Sequence, residues 1–425
     1  MPAGQNLALL GGQKAVSKEY KEVWPIINED TVNAVVQHLM TGELSITDGS
    51  GILDEFESNF ARYNDATYAL VQNNGTSTLH AAFFAVGVGP GDEVIIPTYT
   101  WPSTANSVLS CNATPVFCDI DAKTLCADPA DIERRITPRT KAIGVVHIWG
   151  HPADMDAILE IAKKHHLKVV EDAAHAVGST YKGHKVGTLG DVGCFSLQAS
   201  KMLIGGEAGI AITNNPEYFD RMLVLSHYGG RIDIDQVTGK YSDYAYTGLG
   251  PKYRVHPLAA VIVNDQFKHL EEWIELRGSN LNYLSAGLRG LPGIEPSYTA
   301  PDCTRGAYYG YRLTYNPDQL NHLPIGRFLQ ALQAEGVDAA GERYKLLHTQ
   351  MLYQGASHYE QATGYKWPYA PIREIKYEDR DFPTAVDVHS RLISLPTFTH
   401  PCRDVIDQYI QAFHKVVEHA DQLLD

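Results

Sequence analysis

Lys201 closes the segment Cys194-Phe195-Ser196-Leu197-Gln198-Ala199-Ser200-Lys201 and is followed by Gly205-Gly206-Glu207. A lysine that is partly desolvated and held near a cationic group loses its proton more readily, which makes it a nucleophile toward an aldehyde. Asp172 ends the run Val169-Val170-Glu171-Asp172. A carboxylate at the end of a buried strand needs a cationic partner, because an unpaired buried charge is costly. A protonated pyridine nitrogen would serve, and so would an arginine or a helix N-terminus. Asn73-Asn74-Gly75-Thr76-Ser77 precedes an apolar helix. A helix start presents unpaired N–H groups and a partial positive charge, the conditions for holding phosphate. Gly75 permits close backbone approach, and Thr76 and Ser77 add hydroxyls; an ordinary helix cap reads the same way. In Pro97-Thr98-Tyr99-Thr100-Trp101-Pro102, Trp101 offers a flat face to a planar ring or to the core. Each segment is ambiguous by itself, but their order and spacing together describe one site.

The elements that must position these residues alternate from residue 66 to about 215. Strand-like runs fall at Tyr68–Gln72, Glu93–Pro97, Pro115–Asp119, Ala142–His147, Lys168–Glu171, Val192–Leu197 and Ala208–Thr213. Several are β-branched and lack polar alternation, as strands covered on both faces do. Helices fit between them, including Asp154–His166, where Met155, Ile158, Leu159, Ala162 and His166 share a face. Repeated strand–helix–strand order predicts an α/β fold with a mostly parallel central sheet flanked by helices. Ligands of such sheets sit outside the carboxyl ends of the strands, where the four segments lie. Beyond residue 275 the pattern changes. A single long helix (Pro257–Arg277) leads to a Gly/Pro-rich stretch (Gly290–Pro301), then mixed strand and helix signals. We read residues 1–279 as a large domain with an N-terminal arm, part of which packs on the small domain. Residues 280–425 form that smaller α+β C-terminal domain, and Tyr353–Asp381 reads as a surface excursion.

The chain has 425 residues, 44% of them hydrophobic and 20% charged, the balance of a soluble globular protein. No apolar run approaches the roughly 20 residues that span a bilayer, so no membrane partner is expected. A net charge of −15 disfavours nucleic acid as a partner and is otherwise read as solubility. The six cysteines show no zinc-ligand spacing, so no metal is expected; they read as reduced thiols of a cytoplasmic protein.

Taken together, NNGTSTLHAA, GDEVIIPTYTW, ATPVFCDID, HIWGHPADMD, VEDAAHAVGSTYKG, GDVGCFSLQASK, GGEAGI and SLPTFTH resemble the DegT/StrS family of sugar aminotransferases over nearly the whole chain. The resemblance implies the fold-type I aminotransferase fold and pyridoxal 5′-phosphate (PLP) as cofactor, with pyridoxamine 5′-phosphate as its intermediate form. By similarity, Lys201 carries the cofactor as a Schiff base and shuttles the proton, and Asp172 pairs with the pyridine N–H. Trp101 stacks on the ring, Gly75, Thr76 and Ser196 hold the phosphate, and His175 approaches the ring hydroxyl. Glu207 matches an acidic position that receives no role.

The family is a homodimer with shared active sites. Arg254 stands where many relatives have an Asn that reaches the partner's phosphate, so it falls to phosphate or to substrate. Gly206-Glu207-Ala208-Gly209 replaces the usual Gly-Glu-Gly-Gly, and Arg254-Val255-His256-Pro257 also departs from the common pattern. L-glutamine or L-glutamate is the usual amino donor. Gln198, in Ser-x-Gln before the lysine, favours a keto-cyclitol of the scyllo-inosose type, as in aminocyclitol antibiotic biosynthesis. A nucleotide-linked 3- or 4-keto-sugar is the alternative acceptor. A regulatory or binding protein on the same scaffold would have lost Lys201 or Asp172, and both are present. Tyr308, Tyr309, Arg343, Tyr344 and His348 are candidates for substrate contact, each equally able to serve packing.

Overall fold

The computed structural model describes residues 6–18, 20–21, 23–369 and 375–424. The first five residues of the N-terminal arm and residues 370–374 of the expected excursion lie outside them.

Seven strands form the central sheet: β1 (Tyr68–Gln72), β2 (Glu93–Pro97), β3 (Thr114–Cys118), β4 (Thr140–Val146), β5 (Lys168–Asp172), β6 (Val192–Ser196) and β7 (Gly209–Thr213). They are ordered β1-β7-β6-β5-β4-β2-β3. Strands β3, β2, β4, β5 and β6 run parallel, whereas β7 runs antiparallel to both β1 and β6. Every residue of β2, β3 and β7 is buried, which explains their lack of polar alternation. The helix Gly75–Ala85 is apolar on nearly all sides and is buried accordingly. Helix Met155–His165 buries Met155, Ile158, Ile161 and Ala162; the Asp154 carboxylate caps its start, and His166 ends it in the left-handed conformation. The turn at Gly187 packs so closely on β6 that a Cβ added at Gly193 would lie 2.1 Å from the Gly187 carbonyl oxygen.

A second, antiparallel sheet joins Ile294–Glu295, Tyr311–Tyr315, Leu392–Leu395 and Ala340–Gly341. Its core includes Tyr311, Leu313, Tyr315, Phe328 and Phe413, and also takes in Leu7 and Val16 from the N-terminal arm. Glu335 fixes the arm there. Its buried carboxylate accepts from the Ala8 and Ala15 amides (2.8 Å each) and pairs with Lys415 at 2.8 Å.

Two expectations need correction. The segment Pro257–Arg277 is not one helix: Pro257–Phe267 and Leu270–Leu288 are separated at Lys268-His269. Lys268 and His269 donate to the carbonyls three residues back, and the preceding turn is committed elsewhere. Thr31 donates to the Asp265 carboxylate (2.6 Å), and Gln266 donates to the Ile26 carbonyl (3.0 Å). Nor is Tyr353–Asp381 wholly a surface excursion. Tyr353 and Tyr377 are buried with their rings on Phe117 of β3, at 5.2 and 5.1 Å.

Candidate active site

The carboxyl ends of β1, β2, β5 and β6 open into one cavity of about 470 Å³. Lys201, Asp172, His175, Gly75, Thr76, Ser196 and Trp101 all line it, as do Gln198 and Glu207. Arg254 does not line the cavity of its own chain; its Nη1 donates to Ser45 Oγ at 3.2 Å, and its Nε is buried without a partner.

Lys201 sits in a loop pinned at both ends. Leu197 N donates to the Ala208 carbonyl (2.8 Å), Gly205 N to that of Leu197 (2.8 Å), and Lys201 N to that of Gln198 (2.8 Å). The Trp24 indole N–H, from the N-terminal arm, donates to the Lys201 carbonyl at 3.0 Å. The ε-amine lies 4.1 Å from the centre of the Tyr309 ring. Burial lowers the amine's pKa from the ordinary lysine value, while Tyr309 and Asp172 oppose the shift.

Asp172 closes β5 and is buried. It accepts from Thr104 Oγ1 at 2.8 Å and from the Ala174 amide at 3.1 Å. Burial raises its pKa, against the pull of those two hydrogen bonds and of Lys201. Among the described residues no arginine or lysine forms an ion pair with it. Glu171, on the opposite face of the strand, does structural work. It accepts from the amides of Gly187 (2.7 Å), Leu189 (2.8 Å) and Gly190 (2.5 Å), and from His147 Nε2 (2.9 Å). Because Ala153 N donates to His147 Nδ1 at 3.1 Å, that ring carries its proton on Nε2.

His175 is buried and stacked on Tyr309 (4.2 Å) and Trp149 (5.2 Å). Burial, then Lys201 and Arg312, hold its pKa well below the usual histidine value, so the imidazole is neutral. At the helix Gly75–Ala85, the Asn74 side chain caps Ser77 N (2.8 Å), leaving the Gly75 and Thr76 amides outside the intrahelical ladder. An added Cβ at Gly75 would lie 2.8 Å from Ser196 Cβ, so glycine lets these two elements meet. Trp101 is 55% exposed, with its ring 5.3 Å from that of Tyr344.

Of the five further candidates, Tyr309 and Tyr344 line the cavity. Tyr308 is buried beneath Arg305, Arg343 is exposed elsewhere, and His348 bonds Thr98 (2.7 Å) and Asp379 (3.1 Å). Sequence reasoning missed Thr104, the hydroxyl on Asp172, and Trp24, the donor to Lys201. Thr104 had a signal: it follows Trp101 by three residues, in the first turn of the helix Ser103–Ser110. Trp24 lies where the family resemblance begins, at Trp24-Pro25, but its contact spans 177 positions, which no local pattern carries.

These residues fit PLP. A buried carboxylate lacking a cationic side chain suits a pyridinium, a partly desolvated amine suits an aldehyde, and a helix start beside Ser196 suits a phosphate. A mostly parallel sheet with one reversed strand, carrying that set at its strand ends, defines a PLP-dependent aminotransferase of fold-type I. The chain belongs to the DegT/DnrJ/EryC1/StrS aminotransferase family, which matches residues 25–414. It is 36% identical over 348 residues to an L-glutamine:2-deoxy-scyllo-inosose aminotransferase of Streptoalloteichus tenebrarius, covering 80% of this chain and 82% of that protein. It is 32% identical over 428 residues to the L-glutamine:scyllo-inosose aminotransferase of Streptomyces griseus, covering 98% and 99%. Among solved structures, the aminotransferase from Psychrobacter cryohalolentis superposes with a TM-score of 0.82 at 26% identity, covering 94% of this chain and 99% of that one.

Proposed function

We propose that this aminotransferase moves the amino group of L-glutamine, or of L-glutamate, onto a keto-cyclitol of the scyllo-inosose type. One observation carries the reading beyond the names of its relatives. Lys201 is the only lysine or arginine among the residues lining the cavity, where neutral groups such as Gln198, Ser200 and Tyr309 predominate. One chain's share of the lining, taken alone, thus offers no cationic fork for the diphosphate of a nucleotide-linked sugar, which supports an uncharged polyol ring; in a dimer Arg254 of the partner subunit would be the added cation.

When bound, PLP supplies an aldehyde and an electron-withdrawing ring. Lys201 would hold the cofactor through that aldehyde, and its neutral amine would be the base that moves the donor's α-proton. Asp172, held by Thr104 and Ala174, would pair with the ring N–H. Gly75, Thr76 and Ser196 would hold the phosphate, and Trp101 and His175, which line the same cavity, would serve the ring. Donor and acceptor use the same cavity in turn.

A homodimer completes the site in this reading, with Arg254 reaching the partner's phosphate or its substrate. Support comes from helix Glu29–Thr41, which packs on Pro257–Phe267 yet leaves Val32, Val36 and Met40 exposed at helical spacing. We likewise propose the domain division at 279/280: two hydrophobic clusters meet along the helix Leu270–Leu288, although the first also takes in Leu346, Leu347, Tyr353, Phe382 and Val388 from beyond that point. The thiols of Cys111, Cys118, Cys126, Cys194 and Cys303, none of them in a disulfide, support a cytoplasmic setting, and no helix among the described residues is long and apolar enough to cross a membrane.

The test is an acceptor screen with L-glutamine, read by mass spectrometry. Amination of scyllo-inosose or its 2-deoxy form is expected. Amination of nucleotide-linked keto-sugars alone would overturn the reading.

A further inference from the structure

A second cavity, of about 600 Å³, shares no lining residue with the first. Lys123, Arg289, Arg305, Arg312 and Arg391 line it, with Glu295 as the one acidic residue of the lining. Such a cluster is notable in a chain of net charge −15. Three of these cations lack a carboxylate partner. Arg305 is buried, yet its guanidinium donates only to neutral oxygens: Thr299 Oγ1 (2.8 Å) and the carbonyls of Trp149 (3.2 Å) and Tyr298. Burial lowers its pKa, and no carboxylate opposes that shift. Arg289 and Lys123 are exposed and form no ion pair among the described residues; Lys123 Nζ lies 6.0 Å from the centre of the Tyr298 ring. Arg312 and Arg391 are paired, with Glu342 and Asp387.

A buried guanidinium without counter-charge costs stability unless an anion joins it. Arg305 commits three of its five N–H groups, so two stay available. Arg289 and Lys123 contribute all of theirs. Arginine forks match phosphoryl oxygens in geometry as well as charge. The hydroxyls of Ser297 and Thr314 complete a polar wall.

We propose that this cavity binds a small phosphoryl-bearing anion, separately from the cofactor's phosphate. Trp149 lines the cavity and stacks on His175 and Tyr309, so the ligand would lie one side chain away from the active-site lining. The proposal holds whatever the acceptor substrate is.

Calorimetric titration of the PLP-loaded protein with pyrophosphate tests it, because the cofactor's own phosphate position is then filled. One saturable site per chain is expected, weakened at least about tenfold by Arg289→Glu and by Lys123→Glu, and weakened by added salt. Absence of saturable binding, or unchanged affinity in both variants, would overturn the proposal. Citrate binding more tightly than pyrophosphate would overturn the phosphoryl assignment.

Discussion

At the scale of single residues, chemistry depends on how far Lys201 is kept from water. A neutral amine is the reactive form, and its fraction rises as pH climbs through the pKa. Burial depresses that pKa, so reactivity appears at lower pH than for a free lysine. Uptake of PLP by the apoprotein, followed by its visible absorbance, should reach half its limiting rate below about pH 10.4. Lys201→Arg should lower turnover on the order of 10³-fold or more; wild-type-like activity would remove the residue from the mechanism. Asp172→Asn should retain the cofactor yet slow single turnovers about 100-fold, because the ring loses its counter-charge. Stopped-flow absorbance measures this, and unchanged rates would refute it. The reach of sequence reading shows at the same scale. Asp172 stood out because it ends an apolar run at a strand end, and Lys201 because it follows another in the loop after β6; both line the cavity. Tyr308, Arg343 and His348, left open between substrate contact and packing, do not line the cavity; Tyr308 lies beneath Arg305, Arg343 is exposed, and His348 bonds Thr98, 250 positions away, a contact that no local pattern carries.

At the scale of elements, β5 presents Asp172 to the cavity and Glu171 to the interior. Glu171→Ala would strand the Gly187, Leu189 and Gly190 amides without an acceptor, destabilising the fold by about 3 kcal/mol or more. Guanidinium melts should show an earlier midpoint, and an unaltered one would deny Glu171 this anchoring role. The strands were readable to within a few residues because runs buried on both faces leave a continuous apolar signature. That β7 runs backward was not readable, since direction leaves no trace in composition. The break at Lys268-His269 was hidden for a related reason: it follows from what Thr31 and Ile26 do to Asp265 and Gln266, and local periodicity carries none of that.

At the scale of the whole molecule, two chains are expected to share each site. Neither Lys201→Ala nor Arg254→Ala subunits should work alone, but verified heterodimers should regain part of the activity. No recovery in such heterodimers would place Arg254 within its own chain's function. The N-terminal arm binds the molecule in another way: its early part lies in the second core, and Trp24 reaches back to the carbonyl of Lys201. Trimming the leader through residue 24 would therefore unfasten the reactive lysine's backbone, although no residue of the leader lines the active-site cavity, and would also take Leu7 and Val16 out of the second core. Protease resistance of the leader then becomes a gauge of catalytic readiness, readable before any substrate is known.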